Sequence, residues 1–346
     1  MEIQSVRVVL TMDCERMRTS EFYPAGPASW QESARNISAF AAAAEHHDFK
    51  VTFFAVPEAI EAHVDLFKGL LAAGHEVGLH LHPHTFRDGV NEYLGNLPHD
   101  RQFALIAEAK AAFEAAMGFP PTSFRPGHFS ANADTFRVLS SLGFLRGSSA
   151  IPGRYVAGTG GDWRNWSSDC QYVNGIFEVP VTVHQLPARA WRGYAARHAW
   201  DMGRRGFWTD ALRMAVNIVR GRPSYTINPG TIMADLRIED GSYSLTRAII
   251  DAEIARAAHA KHPAVVTVLT HSYINYSHAD EGRREHGMSR QAHLMRMLAE
   301  FGDRGGVSVQ SETLSEAQRD FEAGVLNAPK MPFAQTISDI RPVRAD

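Results

Sequence analysis

The sequence predicts an α/β fold in which parallel strands form a closed or nearly closed barrel surrounded by helices. Short apolar runs rich in β-branched residues, as found in buried parallel strands, alternate with longer segments of helical composition. Strict alternation of this kind favours a parallel sheet covered by helices. Roughly seven strand–helix units in one chain favour a barrel, with an open doubly wound sheet as the alternative.

The first elements show the alternation most clearly. The run VRVVLTM (6–12) predicts the first strand, and residues 30–47 have the composition of a helix. The run VTFFAV (51–56) predicts the second strand. Pro57 then opens a predicted helix that ends at Gly74, because proline suits the start of a helix and glycine suits its end.

The later elements continue the pattern to residue 311. Further strands or strand-like segments are predicted at residues 76–81, 123–127, 144–150, 176–183, 264–273 and 306–311. Further helices are predicted at residues 101–118, 132–143, 246–262 and 290–302. The alternation therefore extends over most of the chain.

One barrel domain is predicted over residues 1–323, with two stretches that depart from the pattern. Residues 185–243 form a basic, largely helical insertion, and residues 324–346 form an extended or disordered C-terminal tail with three prolines. The arginines of 189–222 are expected on a solvated helical face, with an anionic saccharide or a lipid-linked donor as the alternative contact.

Composition limits the classes of function. The 346 residues include 35 basic and 38 acidic side chains, a balance that favours neither nucleic acid nor a membrane surface as partner. Cys14 and Cys170 provide no disulfide framework. No apolar run approaches the ~18 residues of a transmembrane helix, and the first residues lack the features of a signal peptide. We therefore expect a cytoplasmic protein, with its oligomeric state left open.

The predicted strands end in residues that bind metals or transfer protons. In a parallel barrel the active site lies at the C-terminal ends of the strands. These ends carry Asp13 and Glu15 after the first strand, His80, His82 and His84 after the third, Arg125 after the fourth, and His271 after the strand 264–270. Each residue alone has an ordinary structural explanation, but together they predict a site.

The stretch EVGLHLHPH (76–84) is the strongest single signal. Residue 82 precedes a proline and is expected to stay extended, so His80 and His82 should point to one face of the strand. A turn after Pro83 would bring His84 back beside His80. Two imidazoles and one carboxylate, with a position left for water, are the usual composition of a catalytic zinc site. A second carboxylate that takes a proton from that water completes the chemistry.

These motifs resemble those of the polysaccharide deacetylase family, the NodB-homology group of carbohydrate esterases. Residues 11–15 (TMDCE) are similar to its first motif, which ends in T-F-D-D, D-x-D or D-x-E. Residues 74–84 closely match its second motif, G-H-E-I-G-x-H-(x)3-H. Residues 123–127 (SFRPG) are similar to its arginine motif, and residues 269–272 (LTHS) to its last, histidine-containing motif. The resemblance extends in order from residue 6 to about residue 311.

The resemblance implies a distorted (β/α)7 barrel and a metal-dependent N- or O-deacetylase. It implies that Asp13 is the general base and Arg125 orients it, while His271 protonates the leaving amine. It also implies a Zn²⁺ ion, or another divalent transition metal, held by Glu15, His80 and His84, with His82 as an alternative ligand. Cys14 replaces the usual second aspartate, which moves the ligand role to Glu15.

The expected substrate is an acetylated saccharide, met during the synthesis of a surface polysaccharide. Two alternatives remain from the sequence. One is a hydrolase of a non-sugar amide within the same family, and the other is a saccharide-binding protein with a degenerate, metal-free site. The partner of His271 is expected to be Asp162 or another acid from a loop.

Overall fold

The described part of this computed structural model contains residues 5–18, 26–86, 92–156, 158–187, 231–239, 243–277, 290–303 and 307–326. Its strands are β1 Ser5–Cys14, β2 Val51–Ala55, β3 Glu76–Leu81, β4 Ser123–Pro126, β5 Arg146–Gly147, β6 Tyr155–Val156, β7 Gly161–Asp162, β8 Gln171–Val173, β9 Ile176–Glu178, β10 Val183–Pro187, β11 Thr231–Asp235, β12 Ala264–His271 and β13 Ser308–Ser311. Its α-helices are α1 Trp30–Glu45, α2 Pro57–Ala62, α3 Val64–Ala72, α4 His99–Met117, α5 Ala133–Ser141, α6 Tyr243–Ala260, α7 Arg290–Gly302 and α8 Leu314–Glu322. Short 3-10 helices lie at Leu94–Asn96 and Gly127–Phe129.

The strands of the main sheet lie in the order β12-β1-β2-β3-β4-β5-β9-β8. Neighbours from β12 to β9 are parallel, and β8 pairs antiparallel with β9. Strand β13 adds a further parallel pair with the N-terminal half of β1. The predicted parallel sheet with alternating helices is therefore confirmed.

Irregular segments join the two ends of the curled sheet. Thr182, just after β9, donates its N–H to the carbonyl oxygen of Thr267 on β12 at 3.2 Å. Leu236 donates to the carbonyl oxygen of Thr182 at 2.8 Å, and Leu269 donates to that of Leu236 at 3.0 Å. The sheet thus forms the predicted distorted barrel, with these bonds replacing a regular strand pair.

The two faces of β1 show how the barrel positions polar groups. Val8, Leu10 and Met12 belong to the large apolar cluster that includes the helices. Thr11 and Asp13, two residues apart, both contact Arg125 of β4 across the barrel. Side chains alternate between the faces of a strand, so odd-numbered residues of β1 face inwards.

Helix ends follow the signals in the sequence. Ser29 caps α1 by accepting the N–H of Glu32 at 3.1 Å, and Pro57 occupies the first turn of α2. Gly118 ends α4 in the left-handed conformation, with φ of 87°, which glycine adopts without steric cost.

The structure differs from the predicted elements in several places. Helix α8 and strands β6, β7, β8 and β11 were not predicted. The helix predicted after Pro57 is divided into α2 and α3, because His63 has non-helical backbone angles (φ −131°, ψ 31°). The predicted strand 176–183 is shorter, and β10 instead pairs antiparallel with β11. These two strands are the described edges of the predicted insertion, whose residues 188–230 lie outside the described residues, as do 327–346 of the predicted tail.

No helix in the described ranges combines the length and the apolar character needed to cross a membrane.

Candidate metal centre and catalytic residues

The ends of four parallel strands bring the predicted polar residues together. Asp13 is the register partner of His271 across β1 and β12, and His80 is that of Arg125 across β3 and β4. Glu15 follows β1 directly and is buried, with 3% of its surface exposed. The barrel therefore gathers groups from distant parts of the sequence at one end.

Glu15, His80 and His82 form a compact group, which we call the inner triad. The two Nε2 atoms of His80 and His82 are 3.0 Å apart. Oε1 of Glu15 lies 3.2 Å from Nε2 of His82 and 3.5 Å from Nε2 of His80. All three residues are buried.

The inner triad fits a divalent transition metal. Tetrahedral coordination with bonds of ~2.0–2.1 Å places ligand atoms about 3.3–3.4 Å apart, close to the separations observed. Nδ1 of His80 donates to the carbonyl oxygen of Arg125 at 2.8 Å, so in the neutral ring Nε2 carries a lone pair. Two imidazoles and a carboxylate suit zinc and similar ions better than calcium or magnesium.

His82, and not His84, is the second imidazole beside Glu15 and His80. Side chains at 80 and 82 share one face because the chain stays extended, as the proline at 83 predicts. A turn then follows, in which Thr85 and Phe86 both donate N–H groups to the carbonyl oxygen of His82. The ligand atom of His84 groups with those of His82 and His128, and not with those of Glu15 and His80. The ligand set Glu15, His80 and His84 that the resemblance implies, with His82 as the alternative, stays a prediction.

Asp13 and Arg125 form a buried pair next to the inner triad. Nη1 of Arg125 donates to Oδ1 of Asp13 at 2.7 Å, while Oδ2 of Asp13 lies 3.8 Å from Nε2 of His80. Burial raises the pKa of Asp13, but the charges of Arg125, His80 and His271 outweigh it and hold that pKa below its usual value. Asp13 is therefore ionised and able to accept a proton.

Arg125 is itself fixed by neighbouring strands. It is fully buried, its Nε donates to the carbonyl oxygen of Ser148 at 2.9 Å, and its Nη2 donates to Oγ of Ser148 at 2.8 Å. Its guanidinium also lies 4.4 Å from the centre of the Phe54 ring. These contacts hold the Arg125 guanidinium in a single position relative to the carboxylate of Asp13.

His271 has an acidic partner on the other side of the site. Nδ1 of His271 contacts Oε1 of Glu239, and Oε2 of Glu239 accepts a hydrogen bond from Oγ1 of Thr270 at 2.6 Å. Burial lowers the pKa of His271, but Glu239 outweighs it and raises that pKa above its usual value. With Nδ1 turned to Glu239, Nε2 is the nitrogen left for a substrate.

Glu239, and not Asp162, is thus the loop acid paired with His271. The carboxylate of Asp162 is half exposed and pairs with Arg164, with Nε of Arg164 2.8 Å from Oδ1. Asp162 belongs to the β6–β7 hairpin, where it pairs in register with Tyr155. The partner of His271 is therefore an acid from a loop, as expected, but no motif in the sequence indicates Glu239, which lies 32 residues before His271.

The loop after β4 packs against His82. A Cβ atom on Gly127 would lie 2.3 Å from Nδ1 of His82, so only glycine fits there. The next two residues, His128 and Phe129, have left-handed φ values of 56° and 53°. Such non-glycine conformations cost of order 1–3 kcal/mol each and cluster at functional sites.

His128 is a site-lining residue that the sequence alone did not single out. Its ring lies 4.9 Å from that of His82 and 5.4 Å from that of His84. Burial, followed by the charge of His82, lowers the pKa of His84 to about 4. The His84 ring is therefore neutral near pH 7. The SFRPG motif pointed to Arg125 but carried no signal for the residue after it.

The chain resembles proteins of known family and structure. Residues 25–146 match the family model described as polysaccharide deacetylase. No curated protein matches the chain. Similar solved structures include a protein designated as a polysaccharide deacetylase from Mycobacterium smegmatis, with 17% identity, a TM-score of 0.55, and coverage of 99% of this chain and 96% of that one.

Two further solved structures are similar over most of their length. Puue allantoinase shares 14% identity with a TM-score of 0.51, covering 93% of this chain and 92% of that one. A protein designated as a polysaccharide deacetylase from Pseudomonas aeruginosa PAO1 shares 14% identity with a TM-score of 0.51, covering 92% and 91%. At such identities the structural likeness establishes the barrel fold. The family-model match confirms the resemblance over residues 25–146, which include the motifs at 74–84 and 123–127.

Proposed function

We propose that this polysaccharide deacetylase-like chain is a metal-dependent deacetylase that hydrolyses N-acetyl or O-acetyl groups of a carbohydrate. The observation that carries the proposal is the triangle of ligand atoms from Glu15, His80 and His82, with separations of 3.0, 3.2 and 3.5 Å. Asp13 adjoins this triangle, and His271 lies on the strand next to that of Asp13. A carbohydrate substrate and a role in surface-polysaccharide synthesis follow from the family resemblance.

The cofactor of the proposed reaction is Zn²⁺ or another divalent transition metal held by the inner triad. A bound ion of this kind polarises an acyl carbonyl and acidifies a water molecule. His80 is oriented for coordination by the carbonyl oxygen of Arg125, an outer contact of the kind that raises the affinity of a histidine ligand.

Asp13 acts as the general base of the proposed reaction. Its carboxylate is ionised, and Oδ2 faces the inner triad while Arg125 holds Oδ1. Asp13 therefore takes the proton of the attacking water, and the Arg125 contact keeps the accepting oxygen in place.

His271 acts as the general acid. An amide nitrogen must gain a proton as the tetrahedral intermediate collapses, because an amide anion is a poor leaving group. Glu239 keeps His271 protonated to higher pH and fixes its ring through Nδ1. Nε2 then supplies the proton to the leaving nitrogen.

Acetate release and metal content test the proposal together. The purified full-length protein should release acetate from acetylated amino sugars, lose this activity on treatment with a chelator, and regain it with Zn²⁺ or Co²⁺. Asp13→Asn should keep its metal and lose turnover by at least ~100-fold, because the base is needed for proton transfer. Asp65→Asn, an exposed aspartate on α3, is the matched control.

Different results would favour the two alternatives. A metal-bearing protein that releases no acetate but hydrolyses other amides would support a non-sugar amide hydrolase, a candidate favoured by the likeness to Puue allantoinase. A protein that binds saccharides without metal or turnover would be a non-catalytic binding protein. Loss of metal from Asp13→Asn, with metal retained in Glu15→Gln, would exchange the roles of the two carboxylates.

A further inference from the structure

Three histidines form a second group that shares one member with the inner triad. One ring nitrogen each of His82, His84 and His128 lies within 4.8 Å of the others. Their ring centroids form a nearly regular triangle, with sides of 5.4 Å for His82–His84, 4.9 Å for His82–His128 and 5.4 Å for His84–His128. His82 is buried, His84 half-buried and His128 exposed, so the group extends from the inner triad to the surface.

We propose that His82, His84 and His128 form a second, outer site for a divalent transition metal ion. Three imidazoles are ligands that Zn²⁺, Cu²⁺ and Ni²⁺ prefer, whereas Mg²⁺ and Ca²⁺ prefer oxygen. The proposal rests on the inner triad holding a metal ion, as in the proposed function, but not on the reaction assigned to that triad.

The surroundings of the outer site hold its ligands in place. The Tyr93 ring packs edge-on against both His84 and His128, with centroid separations of 5.7 and 5.2 Å. The left-handed backbone at His128 and Phe129 directs the His128 side chain back over His82. His128 therefore belongs to the group because of its backbone conformation, although it is 44 residues or more from the other two histidines.

The geometry also sets the expected strength of the outer site. Bonds of ~2.1 Å allow at most about 4.2 Å between two ligand nitrogens, so the triangle closes slightly when an ion binds. The exposed His128 ring has the room to make this movement. Nε2 of His82 faces Glu15 and His80, so the outer ion would bind Nδ1 of the same ring. Binding of both ions makes the His82 ring a bridging imidazolate and releases its N–H proton to solvent, which adds a cost to the outer site. The outer site is therefore the weaker of the two.

Metal titration of the full-length protein tests the outer site. Protein stripped with a chelator is titrated with Co²⁺, followed by visible absorbance, and with Zn²⁺, followed by calorimetry. We expect two equivalents, the second bound at least about tenfold more weakly. His128→Asn should lose only the weaker equivalent, because asparagine tolerates the left-handed backbone but cannot replace the imidazole.

Two further variants complete the experiment. His84→Asn should also lose only the weaker equivalent, and it tests the site from a position with ordinary backbone. His99→Asn, at an exposed histidine on α4, should keep both equivalents. The outer site would be overturned by a single wild-type equivalent that both His128→Asn and His84→Asn retain, by two equivalents in both variants, or by loss of both equivalents from each. A single wild-type equivalent that both variants lose would instead leave the inner triad without metal and contradict the proposed function.

Discussion

His82 and His84, on either side of Pro83, have different neighbours. Measuring the metal affinity of a variant at each position therefore tests which of them binds the ion at the inner triad. His82→Ala should weaken binding of the metal ion at the inner triad by at least ~100-fold. The reason is that Nε2 of His82 lies 3.2 Å from Oε1 of Glu15 and 3.0 Å from Nε2 of His80. His84→Ala should leave the ion at the inner triad in place, because the ligand atom of His84 groups with those of His82 and His128 and not with those of Glu15 and His80. Metal analysis after dialysis at fixed free Zn²⁺ measures both.

The exposed His99→Ala variant is the control for the general effect of removing a histidine. If His84→Ala empties the tight site while His82→Ala leaves it filled, the ligand set is Glu15, His80 and His84, as the spacing of the resembled motif implies. Thermal melts of the metal-free variants show whether either change acts through folding instead.

The Glu239–His271 pair sets the pH range of the proposed general acid. Burial alone lowers the pKa of His271, and Glu239 raises it above its usual value, so the ring stays protonated to higher pH. Glu239→Gln removes this charge and should lower the pKa of His271. The alkaline limb of the pH–rate profile for N-acetyl substrates should then move to lower pH.

The matched control for this change is Glu61→Gln, an exposed glutamate at the end of α2, which should leave the profile unmoved. A profile for Glu239→Gln with an unmoved alkaline limb would remove His271 from the role of general acid. A shift in substrate KM with no change in the limb would make Glu239 a residue that positions the substrate.

At the residue scale, the sequence predicts which strand ends bear the residues of the candidate site, but it does not predict every contact among these residues. Asp13, His80, Arg125 and His271 lie at the C-terminal ends of apolar strands, and a parallel barrel places all such ends together. The choice between His82 and His84 depends on the turn after Pro83, whose hydrogen bonds to the carbonyl oxygen of His82 are not evident from composition.

At the scale of elements, the long periodic segments were predictable and the short ones were not. Strands β1 and β2 appear where the apolar runs 6–12 and 51–56 predict them. Strands β6 and β7 have two residues each, too few for any alternation of apolar and polar residues to show. The pairing of β10 with β11 joins positions 183 and 235, and nothing local indicates such a distant partner.

Strand β9 carries a buried carboxyl group, Glu178, that makes stability depend on pH. Its Oε1 accepts the N–H groups of Ser149 and Ala150, the latter at 2.9 Å. Burial nevertheless raises its pKa to about 7, from 4.5. The folded state therefore binds this proton more tightly than the unfolded state does. Stability from this group is fully present below pH 4.5 and is lost as the pH rises through about 7.

Glu178→Gln should remove that pH dependence. Glutamine keeps the oxygen that accepts the two N–H groups and cannot ionise. The variant should match the wild type near about pH 5 and exceed its free energy of unfolding by on the order of 3 kcal/mol near about pH 8.5. Urea unfolding at both pH values measures the difference, and the exposed Glu114→Gln on α4 is the control. If the free energies of unfolding of variant and wild type differed by the same amount at both pH values, Glu178 would not be the source of the pH dependence.

At the scale of the whole molecule, a buried charge network ties together segments far apart in sequence. Nη2 of Arg256 on α6 lies 2.6 Å from Oδ1 of Asp169 and 2.7 Å from Oε1 of Glu253. Oε2 of Glu253 is 2.8 Å from Nε2 of His184 on β10, and His262 lies 3.3 Å from Asp169. The network thus joins the loop before β8, strand β10 and helix α6.

Arg256→Met should destabilise the protein by about 3–5 kcal/mol, because it leaves the carboxylates of Asp169 and Glu253 buried without their cation. Methionine keeps much of the length and the apolar contacts of the side chain, so the loss reports mainly on charge. Arg247→Met on the same helix is the matched control, since Arg247 is 59% exposed and pairs only loosely with Asp251 at 3.7 Å. Urea unfolding of the metal-free proteins near neutral pH measures both changes. Equal, small losses in the two variants would show that the network adds little stability and that the packing of α6 against β12 holds this side of the barrel without it.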